Sequence, residues 1–253
     1  MPIAILAAIG AAFFVLPLVG LIARTPWGDA PRELTSPAAL DALRLSLIAS
    51  LSATAIALLL GVPLAWLYAR VEFPGRALVR ALTTLPMVLP PVVGGIALLL
   101  AFGRRGLLGG LLSDIGMTLP FTTAGAVMAE TFVAMPFLVL TVEAGLRSMD
   151  RRYEDAARTL GAGRWKVFWR VTMPLIAPSL LAGAVLCWAR ALGEFGATIT
   201  FAGNFPGVTQ TMPLAVYLLL ESDPQASFVL SLLLLAISVA VLVGLRHRWL
   251  GTL

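Results

Sequence analysis

Along the chain, long apolar runs alternate with short polar connections that carry most of the arginines. Six runs are long enough to cross a hydrocarbon core about 30 Å thick, at about 1.5 Å per helical residue. They cover about residues 3–23, 43–68, 82–102, 122–146, 175–198 and 228–245. The first lacks a basic leader and is too long for a signal-peptide core, so it reads as a span. The third carries Pro86, Pro90 and Pro91 in its first half, which predicts a kink. Between the fifth and sixth runs, the connection from Phe201 to Ser227 contains MPLAVYLLLES. That stretch is apolar but too short to span, which predicts an interfacial or re-entrant helix. The pattern as a whole predicts an all-α polytopic membrane protein, a single transmembrane domain over residues 1–253.

Composition agrees: 59% of residues are hydrophobic and 12% charged, against a charged share of about 25% in soluble domains. A net charge of +5 would suit nucleic acid, but the basic residues cluster in short loops beside apolar runs, where topology accounts for them. If the spans alternate, Arg70, Arg76, Arg80, Arg147, Arg151, Arg152, Arg158, Arg164, Lys166, Arg170, Arg246 and Arg248 share one side. Arg24, Arg32, Arg44, Arg104 and Arg105 take the other. The heavier side is expected in the cytoplasm, which puts both termini there. Cys187 lies within an apolar run and His247 stands alone in a basic tail. That leaves no disulfide framework, metal-ligand cluster or Ser-His-Asp set to expect, and no catalytic residues are assigned.

The most polar stretch, YEDAARTLGAGRWKVFWRVTMP, lies between the fourth and fifth runs, at Tyr153–Pro174 within a loop of about residues 150–174. Tyr153, Ala156, Ala157 and Leu160 recur at spacings that line one face of a short helix. Gly161 and Gly163 predict a sharp turn. A second short helix is expected from about Arg164 to Val171, with Pro174 opening the fifth span. Such a segment can rest on the membrane surface, with its tryptophans at the headgroups. Its small alanines equally suit close approach by another protein.

Here the residues resemble a known family. The order D-A-A-R-T-L-G from Asp155 to Gly161, nine residues, then V-T-M-P from Val171 to Pro174 is similar to the EAA loop of bacterial ABC-importer permeases. Asp155 stands for the usual glutamate, Val171 for isoleucine and Met173 for leucine. Two further stretches, Leu85–Gly109 and Ala189–Tyr217, resemble molybdate permeases. G-E-F-G-A-T followed by F-x-x-N is shared with sulfate permeases, while G-A-T-I-T-F and the later T-x-T-x-P lean toward molybdate. The likeness covers about Ser46 to the C-terminus.

The resemblance implies a type I ABC importer permease fold, with a coupling helix between spans four and five that docks in an ATP-binding subunit. Asp155, Ala156, Ala157, Arg158, Leu160 and Gly161 are the coupling residues it implies. It further implies a homodimer of this chain, two ATP-binding subunits and a periplasmic or extracellular oxyanion-binding protein, in a bacterial inner membrane. The cargo implied is molybdate, with tungstate not separable. A sulfate or thiosulfate permease is the alternative, and a stand-alone secondary anion transporter is disfavoured by the absence of paired interrupted helices. No G-x-x-x-x-G-K-[ST] occurs in the chain, so ATP and its Mg belong to the partner subunit.

Charges inside spans are costly, about 2.5–3.5 kcal/mol at the bilayer centre. Arg190 and Glu194 are four residues apart and can pair on one helix face, either to pack helices or to line a gate. Glu130, Thr198, Thr200 and Asn204 complete the set of pore and gate candidates. Neutral hydroxyls and amides suit an oxyanion in transit, and they also serve as local caps.

Overall fold

The computed structural model describes residues 2–249 of the 253, and side chains from residue 3 to residue 244. Arg246, His247 and Arg248 therefore lie outside the described side chains. Among the described residues every regular element is helical. In chain order they are α1 (Pro2–Arg24), α2 (Ala30–Leu34), α3 (Pro37–Arg70), α4 (Arg76–Thr84), α5 (Pro91–Phe102), α6 (Gly109–Asp114) and α7 (Thr123–Ser148). There follow α8 (Arg152–Thr159), α9 (Arg164–Val167), α10 (Met173–Leu192), α11 (Gly196–Phe201), α12 (Met212–Ser222) and α13 (Pro224–Trp249). Five helical stretches are long and apolar enough to cross a membrane, and a bent pair makes a sixth if it counts as one crossing.

Two of the expected spans take a different form. The third is not one kinked helix: Arg76–Met87 and Pro91–Phe102 meet at 119°. Pro90 is extended, with φ −54° and ψ 129°, as a residue before proline prefers, and neither Pro90 nor Pro91 has an N–H to continue the preceding helix. The fifth begins earlier and stops sooner than expected. Helix runs from Arg164 through a π turn at Phe168–Thr172 into α10, so Pro174 opens no new element. It ends at Leu192, and Gly193–Phe195 separate it from α11.

The chain divides into two compact units. One comprises residues 1–45 and 210–253, and its buried centre is Ala39, Ala42, Met212, Ala215 and Leu230. Asp223 starts α13 by accepting from Ala226 N at 3.2 Å, with Pro224 at the first helical position. The Ser227 hydroxyl then donates to Val216 O at 3.0 Å, which fixes α13 against α12. Along α1, Ile3, Leu6, Ile9, Phe13 and Leu16 are exposed, the surface expected of a helix bathed in lipid tails.

The other unit is residues 46–209. Its core joins α3 (Ala53, Ala57, Ala65, Tyr68), α7 (Ala134, Leu138, Val142, Leu146) and α10 (Ile176, Cys187, Ala191). Small side chains let these backbones approach, and van der Waals contact between helices drives packing where lipid is as apolar as leucine. At the α7–α10 contact, a Cβ on Gly145 would lie 2.5 Å from Ser179 Cβ. A second cluster joins α5 (Leu98), α7 (Ala129, Val133) and α11 (Ala197, Phe201). There a Cβ on Gly95 would stand 2.6 Å from Thr200 Cβ and 2.9 Å from Ala197 O.

Gly95→Val should therefore force α5 away from α11 and cost about 3 kcal/mol, the upper range for overpacking. Denaturant unfolding of the purified protein in detergent measures this, and a loss below the error of the measurement would show that α11 yields freely.

Candidate functional site

The polar segment between α7 and α10 folds into α8, a glycine turn and α9. Leu160 closes α8; Gly161 N then bonds to Arg158 O at 2.9 Å and Ala162 N to Ala157 O at 3.0 Å. Together these satisfy two carbonyls that the helix end would otherwise leave open. The turn requires φ +84° at Gly161, a left-handed angle that a side chain resists. Of the face expected to be apolar, Tyr153, Ala156 and Leu160 are exposed and Ala157 is half-buried. Asp155 and Arg158 pair at 3.3 Å on the exposed side, where such a pair contributes little. Trp165, Phe168 and Trp169 cluster edge-to-face and stacked, with both tryptophans exposed.

The carboxylate that holds α8 in place is its neighbour, Glu154, which the sequence expectations passed over. It is buried, accepts from the Thr172 hydroxyl at 2.7 Å and from Arg70 Nη2 at 3.4 Å. Glu154 thus ties α8 to the end of α3 and to the π turn that leads into α10. A signal was present: Glu154 and Ala157 are three apart and share the inward face.

The end of α3 is held by arginines as well. Arg76 and Arg147 donate to Tyr68 O, and Arg151 to Ala69 O at 3.5 Å. Cations at a helix C-terminus meet both the unpaired carbonyls and the negative end of the helix dipole. Arg80 and Arg147 converge from either side on the buried Glu143, at 3.0 and 2.8 Å. The Tyr68 hydroxyl bonds to Thr83 Oγ1 at 2.7 Å, so α4 is fixed to the same point.

The other candidates gather at the far ends of α7 and α10. Arg190 lies in the last turn of α10, whereas Glu194 lies beyond it, so the two do not share a helix. The contact forms regardless: Arg190 Nη2 is 2.6 Å from Glu194 Oε2. Glu194 Oε1 also accepts from Ala197 N at 2.8 Å, which starts α11. Glu130 is buried in the second turn of α7, and its Oε2 has no hydrogen-bond partner among the described residues. The same is true of Thr198 Oγ1 and Asn204 Oδ1. Thr200 is a local bond-former, donating to Gly196 O at 2.7 Å. Buried polar atoms usually have partners, so three without them near one helix break set this region apart from ordinary core. No group of three or more His, Cys, Asp or Glu side chains that could hold a metal occurs among the described residues.

Comparison with known proteins finds relatives over most of the chain. Residues 57–251 match the family described as binding-protein-dependent transport system inner membrane component. The molybdenum transport system permease protein ModB of Mycobacterium tuberculosis is 46% identical over 241 residues, covering 94% of this chain and 90% of that protein. The sulfate transport system permease protein CysT of Escherichia coli is 35% identical, covering 92% of this chain and 85% of that one. Among solved structures, a bacterial ABC transporter involved in the import of the acidic polysaccharide alginate aligns with a TM-score of 0.73 at 19% identity. That alignment covers 97% of this chain and 93% of that chain, and at such identity it shows the fold alone.

The Arg70–Glu154 contact is open to a double-mutant cycle. Glu154→Ala and Arg70→Ala should each cost about 3 kcal/mol, because each leaves a buried charge uncompensated, and the double variant less than their sum. Asp155→Ala should stay within about 0.5 kcal/mol. Additive losses at Glu154 and Arg70, measured by unfolding in detergent, would mean that the two do not act as a pair.

Proposed function

The chain belongs to the binding-protein-dependent transport system inner membrane component family, and on that premise we propose that it is the permease subunit of an ATP-driven molybdate importer. The similarity that carries the cargo assignment is 46% identity to a molybdenum permease across nearly the whole chain, against 35% for a sulfate permease. Tungstate has the same charge and tetrahedral shape as molybdate, and is an expected second cargo.

In this proposal two copies of the chain enclose the pathway at a two-fold interface. Two separate ATP-binding subunits dock on α8 from the cytoplasm, and an oxyanion-binding protein delivers cargo from the other side. ATP is hydrolysed on the partner, since this chain has no phosphate-binding loop. The membrane is the bacterial inner membrane, and the arginine-rich side, with both termini, faces the cytoplasm. Asp155, Ala156, Arg158 and Leu160 meet the ATP-binding subunit, while Ala157 and Gly161 shape the helix that presents them. That the face of α8 is open supports this docking.

Closure of the ATP-binding subunits moves α8, and Glu154 passes that displacement to α3 and to the π turn before α10. Rigid-body rocking of the permease halves then alternates access. At the opposite end of α10, Arg190 and Glu194 act at the gate, and their contact breaks and re-forms as it opens. Thr198, Thr200 and Asn204 offer neutral hydrogen-bonding groups to the passing oxyanion, and Glu130 belongs with the gate. Weak neutral contacts suit a pathway that must release its cargo.

Uptake of radiolabelled molybdate by cells that express the complete importer should be reduced by unlabelled tungstate and little affected by excess sulfate. Competition by sulfate at parity with molybdate would move the assignment to the sulfate permeases. Gly161→Val, which forces a branched side chain into the left-handed turn at a cost of about 1–2 kcal/mol, should leave an assembled complex in which cargo-loaded binding protein no longer stimulates ATP hydrolysis. Arg190→Glu should abolish uptake while assembly and stimulated ATP hydrolysis persist; full uptake in that variant would leave the pair a packing contact only.

A further inference from the structure

A cavity of about 630 Å³ opens between the end of α3, α8 and α9. Its lining includes Arg70, Arg151, Arg158 and Arg164, opposed by two carboxylates, Glu154 and Asp155. Four guanidiniums against two carboxylates leave the lining with two positive charges in excess. Those two can be located. Arg70 and Arg158 have carboxylate partners, whereas Arg151 and Arg164 make no ion pair among the described residues. Arg70 is itself nine-tenths buried, with one nitrogen on Glu154 and its Nε without a partner. A concave pocket with a net positive lining concentrates anions, and guanidinium is the side chain best matched to phosphate oxygens.

The rest of the wall indicates where the anion comes from. Trp66 and Phe168 also line the cavity. Trp66 lies one turn inside α3 from its end at Arg70, about 6 Å along the helix axis. The adjoining Trp165 and Trp169 are exposed, as aromatic side chains are at headgroup level. The cavity therefore has a charged mouth and an aromatic flank that reaches into the span. Basic pockets of this kind between membrane helices take anionic lipid headgroups.

We propose that this cavity holds the phosphate of an anionic phospholipid from the leaflet on the α8 side, with Arg151 and Arg164 as its principal cationic contacts. The lipid then sits beside the segment that Glu154 couples to α3 and α10, so leaflet composition bears on how firmly α8 is held. The proposal rests on α3 spanning the membrane, as in the proposed function, and is independent of the cargo.

The test uses the full-length protein in nanodiscs of phosphatidylcholine containing a minority of phosphatidylglycerol, released into detergent and weighed by native mass spectrometry. Wild type should retain phosphatidylglycerol selectively. Arg164→Gln should lower that retention about fivefold, the worth of one arginine at a lipid surface. Adding Arg151→Gln should lower it by a similar factor again, while Arg164→Lys restores most of it, and thermal unfolding confirms that each variant is folded. Equal retention by wild type and the double variant overturns the proposal. Arginine-dependent binding of inorganic phosphate without lipid retention keeps the anion chemistry but overturns the lipid source. If Arg164→Gln keeps its lipid but fails to bind the ATP-binding subunit, the cavity belongs to that partner and the proposal falls. Molybdate uptake by wild type is followed in parallel; its failure would overturn the cargo assignment and leave lipid retention unaffected.

Discussion

A helix that ends inside a protein leaves its last carbonyl oxygens without partners along the helix. At the end of α3 those of Tyr68 and Ala69 are taken by arginines from three other places: Arg76 at the start of α4, Arg147 at the end of α7 and Arg151 just before α8. One need, to pair a few oxygens, thereby fixes four elements to one point. Glu143 adds a buried negative charge between Arg80 and Arg147, and its desolvation is offset only while both guanidiniums stay. Glu154, between Arg70 and Thr172, extends the network to the start of α10. The arginines that a topology count treats as interchangeable positive charges thus have separate structural duties.

The opposite ends of α7 and α10 are built differently. There the chain breaks at Gly193–Phe195, and Glu194 both starts α11 and meets Arg190. Several buried polar atoms there lack hydrogen-bond partners among the described residues. Buried carboxylates at one end are held by ion pairs, whereas at the other Glu130, Thr198 and Asn204 keep polar atoms without partners among the described residues.

Much of this was legible in the sequence, because in lipid a long apolar run has few alternatives to a helix. Most of the long helices follow from hydropathy alone, and α12 falls on the short apolar stretch singled out between Met212 and Ser222. What escaped depends on geometry between distant residues or on backbone detail. Pro90 and Pro91 signal a break but not its angle of 119°. Asp155 drew notice through its place in a motif, whereas the buried role of its neighbour Glu154 went unread because its partners, Arg70 and Thr172, are remote in sequence. Likewise the end of α10 at Leu192 follows from local turn geometry at Gly193, which no hydropathy average resolves.

The π turn at Phe168–Thr172 carries a consequence for phase. An α-helix advances about 100° per residue, so a turn that holds one residue more than α geometry allows resets the angular position of everything downstream. Gly183 packs against Leu138 and Thr141 of α7, and Ile176 and Cys187 enter the core shared with α3 and α7, in the phase that follows that extra residue. The sequence between Arg164 and Leu192 therefore acts as a shaft with a keyed joint. Its length between Val167 and Met173 decides not how far α10 reaches but which way it is turned.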